Sequence, residues 1–514
     1  MLKVSERWLL LISVLIAGLC SIVYELELST VSSYFLGDSV KQFSLIIGVY
    51  MAAMGAGSYL SKYVPEPLIV YFIVAEIVLG LVGGFSVPIA YWAFERTSAD
   101  TFQILVLSIT FMIGCMTGLE IPLLARILKE YYPLRANLAN VLSLDYIGAL
   151  LATLLFPFLL LPKMGLFRTA IGVGLLNILL GWLILALLKP HIPKRAKTQL
   201  QTIAMILMAG LGYLMYQSGA LLETWQDSAY NHKVIWAKQT PYQHLAVTQK
   251  GTDTRLYINR VIQFSTRDEY RYHEVLGITP MLAAPHRAKV LILGGGEGLL
   301  AREVLKFAEV ESITIVDLDE EVFRLAKTFG PIRAANKDAL NNPKVHLKAM
   351  DATVFLRETN ETFDVILSDL PDPSNEAVAR LYSVWFYKMV LNVLNPNGVF
   401  ATQATSTFNT KNAYWCIGKT IHAAGFAQVI PMRAYVPSFG EWGFFMASNR
   451  TIYPEKLQIN VPTQFLDSTI LQHIFYLEKD IQAPNDLKIN QLDQPALLEY
   501  FLKDWSTWSR EKTN

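Results

Sequence analysis

Two aspartates three residues apart carry the most suggestive chemistry in this sequence. Asp369 and Asp372 stand in "DLPDP", on a turn set by Pro371 and Pro373. Paired carboxylates in a partly desolvated cleft hold ammonium groups, and one of them can take a proton from an amine. The plainer alternative is an ordinary Asx-Pro turn. Further acids stand upstream: Glu297 in "GGGEG", Asp317 and Asp319 in "IVDLD", and Asp351 in "KAMD". Each follows an apolar run with strand character. A single acid at a strand end is unremarkable, but four consecutive strand ends in register point to a site.

The glycine loop narrows the ligand. "VLILGGGEGLLAREVLKF" (290–307) passes from a strand-like run through glycines into a helix-like run. It lacks the G-x-G-x-x-G pattern that cradles a pyrophosphate, and Glu297 would repel a diphosphate. Asp317, about 20 residues on, suits the two hydroxyls of a ribose. Asp351 with Ala352 suits an adenine edge. The ligand expected is an adenosine without phosphates, such as S-adenosylmethionine or a relative.

These residues need a scaffold. From 288 onward strand-like and helix-like runs alternate, which predicts a doubly wound, mostly parallel sheet of the Rossmann type. Before it, "HKVIWAKQTPYQHLAVTQKGTDTRLYINRVIQFST" (232–266) has short β-branched and aromatic runs broken by turns. That predicts a small antiparallel sheet. The expected division is 1–225 multi-pass transmembrane domain, 226–285 small β domain, 286–450 Rossmann-like catalytic domain and 451–514 helical extension.

The first 225 residues read differently. A spanning helix needs about 20 mostly apolar residues. Seven segments qualify: 8–28, 43–61, 67–93, 102–126, 140–162, 166–188 and 200–221. The first is too long for a cleaved signal peptide. Lys3, Arg7, Lys62, Arg126, Lys129, Arg135, Lys189, Lys194, Arg195 and Lys197 share one side, which places the N-terminus in the cytoplasm. Seven spans would then put the catalytic domain outside. The segment 200–221, interrupted by Gly210 and Gly212, is the candidate that fails to span, leaving the catalytic domain on the cytoplasmic face of the cell membrane. Glu25, Glu27, Glu76, Glu120 and Asp145 fall within apolar segments and form a possible membrane site. The alternative for them is inter-helix hydrogen bonding.

Composition excludes some classes. Hydrophobic residues make up 53% of 514, and the net charge is +1. No basic field for nucleic acid is present. Three cysteines, Cys20, Cys115 and Cys416, show neither metal spacing nor a disulfide framework.

Residues 235–450 resemble the polyamine aminopropyltransferases, the spermidine synthases. The resemblance rests on "YQHLAV" (242–247), "RDEYRYHE" (267–274), "LILGGGEG" (291–298), "IVDLDEEV" (315–322), "FDVILSDLPDP" (363–373) and "LYSVWFY" (381–387). With its apolar N-terminal half, the chain is similar to their membrane-bound bacterial branch. The resemblance implies decarboxylated S-adenosylmethionine as donor, no metal, and putrescine or a related amine as acceptor. It places Gln243, His273, Glu297, Asp317, Asp351 and Ala352 on the donor. It places Tyr272, Asp369 and Asp372 on the acceptor, with Asp369 as proton acceptor. It also implies a homo-oligomer.

The sequence departs from the family at several positions. Glu297 stands for the usual Asp, Asp317 for Glu and Ala352 for Gly. Arg260 replaces a turn glycine, Glu376 stands near a proline that packs on the nucleoside, and Phe439 replaces an acceptor-touching tyrosine. The acceptor's identity is therefore open. Two other functions stay open as well: an S-adenosylmethionine-dependent methyltransferase, and a polyamine transporter or sensor with a non-catalytic synthase-like domain.

Overall fold

The computed structural model describes residues 4–36, 39–94, 96–129, 132–187, 193–230 and 232–511. Lys3 and Lys189 of the charge pattern lie outside them. The chain forms two compact units, Met1–Asn231 and His232–Asn514.

The first unit is helical: α1 (Val4–Leu36), α2 (Ser39–Leu60), α3 (Leu68–Phe94), α4 (Ala99–Leu128), α5 (Leu134–Leu155), α6 (Leu161–Leu187) and α7 (Lys194–Ala229). Six stretches are long and apolar enough to cross a membrane. One of them, Arg135–Leu187, has 53 residues and contains both α5 and α6. At 1.5 Å per residue it would be about 80 Å long, against a hydrocarbon core of about 30 Å, so it holds two segments. Gly165 (φ 72°, ψ 170°) breaks the helical backbone within it. The expected segments 140–162 and 166–188 are thus separated by the kink at Gly165 rather than by a loop, and a π turn, Phe156–Leu160, lies within the first. Gly210 and Gly212 do not interrupt α7, which runs for 36 residues. A glycine costs a helix about 1 kcal/mol relative to alanine, too little to break one this long.

Small residues let these helices touch. α2 packs on α4, α3 on α6 and α1 on α5. A Cβ on Gly57 would stand 2.1 Å from the Cys115 carbonyl oxygen, and one on Gly80 would stand 2.5 Å from that of Gly174. Glycines at these contacts let the helix backbones approach closely.

The second unit opens with an antiparallel sheet, β1 (Lys233–Gln239), β2 (His244–Lys250), β3 (Asp253–Ile258) and β4 (Val261–Ser265), in that spatial order. A short helix, Glu269–His273, follows and continues through a π turn, Glu274–Ile278. The main sheet has β5 (Lys289–Gly294), β6 (Ser312–Asp317), β7 (Val345–Ala349), β8 (Phe363–Asp369), β9 (Leu394–Gln403), β10 (Gln428–Val436) and β11 (Gly440–Ser448). Their order is β10-β11-β9-β8-β5-β6-β7. β5 to β9 run parallel, and β11 runs antiparallel to both β9 and β10. Strand order reverses between β5 and β8, which places a ligand crevice beyond their carboxyl ends.

Alternation along β5 builds a core on each face. Val290 and Ile292 join one cluster with Leu299, Val304 and Phe323. Leu291 and Leu293 join the other with Phe355, Phe386 and Ile417. Strands buried on both faces read as continuous apolar runs, as "KVLILG" does. The tail after residue 450 is less helical than expected. Its longer helices are Ser468–His473 and Ala496–Glu511, and most of the remainder is extended or turned.

Arg260 occupies a glycine's conformation. The β3–β4 turn runs through Asn259 (φ 49°) and Arg260 (φ 69°), both left-handed. Such two-residue hairpins favour Asn-Gly, and a bulky residue at positive φ costs about 1 kcal/mol or more. Arg260→Gly is expected to raise the melting midpoint of the second unit by about 2–4 °C, read by scanning fluorimetry.

Candidate active site

The crevice begins where β5 and β8 end side by side. Gly294 is the register partner of Asp369. Its φ is 81°, and a Cβ there would lie 2.1 Å from the Asp369 carbonyl oxygen. Only glycine lets the loop turn away while touching the strand that carries Asp369. The Gly296 N–H donates to Asp317 Oδ2 at 3.1 Å, and the Asp319 N–H donates to Oδ1 at 3.1 Å. Each Asp317 oxygen keeps a lone pair for a sugar hydroxyl. Burial, with Glu297 nearby, pushes the Asp317 carboxyl up to about 6.

Gln243 reaches the same strand end indirectly. Its Nε2 donates to Asp319 Oδ2 at 3.1 Å, beside the Thr240 hydroxyl at 2.7 Å. Buried Asp319 thereby ties the β1–β2 loop to the end of β6. Asp351 caps the helix Ala352–Glu358, accepting from the N–H groups of Thr353 (2.8 Å) and Val354 (3.2 Å). Its other oxygen pairs with Arg380 at 2.5 Å. Burial opposes its ionisation, but these hydrogen bonds and the Arg380 charge hold it below the usual range. Adenine would therefore meet an Asp351 already committed to a cap and to Arg380. Ala352, the first helical residue, is buried beside it.

"RDEYRYHE" divides its labour by face. Tyr272 and His273 point into the crevice, and the acids point into the scaffold. Asp268 accepts from the Ser438 N–H at 2.6 Å and its hydroxyl at 2.8 Å, fixing the β10–β11 turn. Glu274 accepts from the N–H groups of Gln464, Phe465 and Leu466 at 2.6, 2.8 and 2.9 Å. Glu269 is clamped by both Arg302 terminal nitrogens, at 2.7 and 2.8 Å, and lies 2.8 Å from His273 Nδ1. Burial lowers the His273 pKa, but the Glu269 and Glu297 carboxylates outweigh it and bring it to about 10. His273 is therefore an imidazolium at neutral pH. Its Nε2 faces Glu297 Oε1 at 3.7 Å.

Two carboxyls face the centre of the crevice. Asp369 Oδ1 accepts a 2.5 Å hydrogen bond from the Tyr272 hydroxyl. Burial and the Glu297 charge push Asp369 up to about 7, against the pull of His273 and Tyr272. Burial alone is the leading cause that pushes Asp372 to about 7. Glu297 Oε1 and Asp372 Oδ1 are buried without a hydrogen-bond partner. His273, Glu297 and Asp369 bring ligating atoms within 4.8 Å of one another, a spacing that a metal ion could also use. An orphaned carboxylate equally suits an ammonium or a sulfonium. The crevice is thus acidic, with one fixed cation, and is built to hold positive charge.

Residues 269–456 match the family model described as the spermine/spermidine synthase domain. A polyamine aminopropyltransferase of Leptospira interrogans is 42% identical over 500 residues, 97% of this chain and 98% of its own. The chain belongs to the polyamine aminopropyltransferases. A second relative, polyamine aminopropyltransferase 2 of Ralstonia nicotianae, is 37% identical over 97% of this chain and 98% of its own. A spermidine synthase solved with the transition-state analogue AdoDATO is similar over 48% of this chain and 86% of its own, at 24% identity and TM-score 0.45.

For this aminopropyltransferase, the structure brings Gln243, Tyr272, His273, Glu297, Asp317, Asp369 and Asp372 to one sheet edge. Phe439 packs edge-on to Tyr272 at 6.1 Å and offers no hydroxyl there. Glu376 starts the short helix Glu376–Ala379 after the "DLPDP" turn. Glu269, Arg302 and Arg380 emerge only in three dimensions. Glu269 lies four residues before His273, and that helical spacing was the one signal for it.

Raised carboxyls have a signed stability cost. Asp372 holds its proton more tightly folded, at about 7, than at its ordinary 3.8. Its favourable contribution is complete below the unfolded value and is lost as pH rises through about 7. Asp372→Asn is expected to raise the melting midpoint at pH 8, and the gain should vanish near pH 4. A midpoint unchanged at pH 8 would show that the carboxyl is not desolvated.

Proposed function

We propose that the second unit transfers an aminopropyl group from decarboxylated S-adenosylmethionine to putrescine or a related amine, giving spermidine or its analogue and methylthioadenosine. The observation that carries this is the acidic crevice, in which Glu297 Oε1 and Asp372 Oδ1 are buried without a hydrogen-bond partner and Glu297 groups with Asp369. A methyl acceptor has no need of that arrangement, whereas a sulfonium beside a diamine does.

The residues divide the work. Asp317 holds the ribose hydroxyls, and Asp351 with Ala352 borders the adenine. Gln243 steadies the loop over the nucleoside. Glu297, backed by the His273 imidazolium, lies near the donor's positive charge. The attacking amine is protonated in water, with a pKa of about 10.4. It must lose a proton before its lone pair attacks the propyl carbon. Asp369 accepts that proton, and Tyr272 holds the carboxylate at 2.5 Å in a fixed orientation. The nitrogen–carbon bond forms, the sulfur–carbon bond breaks, and its electron pair leaves on a neutral thioether. Asp372 anchors the acceptor's far ammonium.

We place the helical unit in the cell membrane, with the second unit on the cytoplasmic face, where the donor is made. Six apolar stretches support the first half of this reading. For the second half, α7 is the least apolar stretch, with mean hydropathy 1.4, and is the candidate to lie outside the bilayer. Reporter fusions after residue 222 that are active only outside the cell would sink the cytoplasmic assignment.

Methylthioadenosine release is expected with the decarboxylated donor and a diamine, and not with S-adenosylmethionine. Asp369→Asn should lower kcat by about a hundredfold to ten-thousandfold with little change in donor binding. Asp372→Asn should mainly raise KM for the amine. Undiminished release by Asp369→Asn would remove the proton-acceptor assignment.

A further inference from the structure

The helical unit has its own buried acids. Of the five carboxyls in its apolar segments, the fold gathers three in the interior: Glu27 on α1, Glu76 on α3 and Glu120 on α4, each no more than 1% exposed. Glu25, two positions before Glu27, falls on another face of α1 and is partly exposed. Asp145 lies against α1, where a Cβ on Gly18 would come within 2.6 Å of its Oδ1. All six oxygens of Glu27, Glu76 and Glu120 lack a hydrogen-bond partner among the described residues.

Other polar groups are aimed into the same space. Cys20, Tyr24 and Glu27 share one face of α1, at i, i+4 and i+7. Tyr24 lies within the electrostatic reach of Glu27, Glu76 and Glu120, and Glu120 within that of Glu76 and Asp145. The Tyr24 hydroxyl is fully buried and unpartnered. Asn177 on α6 is also fully buried, and neither end of its amide has a partner. It lies one turn from Gly181, where a Cβ would be 3.2 Å from Glu76 Cβ. α1 and α3 pack on each other and on both α4 and α6, and these four helices direct three carboxyls, a phenol and an amide inward.

This donor set calls for a cation. Carboxyls in an apolar interior either keep their protons or exchange them for a cation, and intramembrane acids are candidates for ligand or ion sites. The three acids come from three different helices, so each can meet a separate ammonium of one extended molecule. Each ammonium has three donors, and carboxylate, phenol and amide oxygens can accept them. The Tyr24 ring offers a cation–π face.

We propose that Glu27, Glu76 and Glu120, with Tyr24 and Asn177, form a second binding site for a linear polyamine carrying two or more ammonium groups. The choice of amine class rests on the aminopropyl-transfer reading of the other unit, and the site itself does not. The bundle thereby binds the kind of molecule that the crevice consumes or releases.

The test uses the full chain in lipid nanodiscs, with spermidine as the probe. Dicyclohexylcarbodiimide attacks carboxyls in apolar surroundings, and peptide mass spectrometry reads the adduct at each residue. Spermidine is expected to slow labelling of Glu76 and Glu120 several-fold, and potassium chloride at matched ionic strength is not. Labelling unchanged by spermidine, or slowed equally by potassium, overturns the proposal. In equilibrium dialysis, Glu76→Gln with Glu120→Gln should lose one of two bound spermidine equivalents and keep full methylthioadenosine release. Two equivalents retained would also overturn it. If that variant fails to fold, labelling of the unaltered chain decides. Loss of transfer with protection intact sinks the enzymatic reading alone, and the reverse result sinks this one.

Discussion

Glu297, Asp317, Asp369 and Asp372 crowd one crevice, and His273 is the cation set among them. Their mutual repulsion and lost hydration are the constraint around which the second unit is built. The scaffold answers by fixing the one cation firmly: Arg302 clamps Glu269, and Glu269 holds the imidazolium through Nδ1. Removing any link would leave a buried charge without its partner, which costs several kcal/mol. The remaining negative charge is not neutralised within the protein. It is stored against the arrival of a cationic donor and an ammonium-bearing acceptor. Stability is surrendered where affinity and proton transfer need it.

The sheet makes that crowding possible. Parallel strands deliver their carboxyl ends to one edge, and the reversal of order between β5 and β8 opens a gap there. The glycine loop folds over Asp369 because Gly294 has no Cβ to strike its carbonyl. The eight-residue motif before the sheet then supplies two working side chains and three structural acids from one turn and a half of helix. The π turn that follows lets Tyr272 and His273 face the crevice while Glu274 faces away, a common use of such irregularities.

Much of this was readable from the chain itself. The apolar runs ending in acids located β5, β6 and β8, because buried parallel strands must be continuous and their ends must meet the ligand. The roles of Arg302 and Arg380 were not readable. Their partners, Glu269 and Asp351, lie 33 and 29 residues away, and no local spacing encodes such pairs. In the helical unit, hydropathy located the segments, but Gly210 and Gly212 suggested a break that α7 does not have. Which of five acids would meet was also hidden. It depended on helix rotation, which separates Glu25 from Glu27 and brings Glu27 to Glu76 and Glu120. Arg260 adopts a left-handed backbone that glycine takes without strain, so an arginine there carries a local cost.

Glu274 links the ends of the second unit. Its carboxylate gathers three backbone N–H groups from residues 464–466, next in sequence to His273. The extended tail therefore supplies counter-charge through peptide dipoles, beside the Lys306 ammonium at 4.0 Å. Shortening the chain at its C-terminus would strip that carboxylate of its donors one residue away from the imidazolium. What looks like an irregular appendage is an electrostatic part of the Glu269–His273 helix, and the unit is chemically finished only once residues 464–466 are in place.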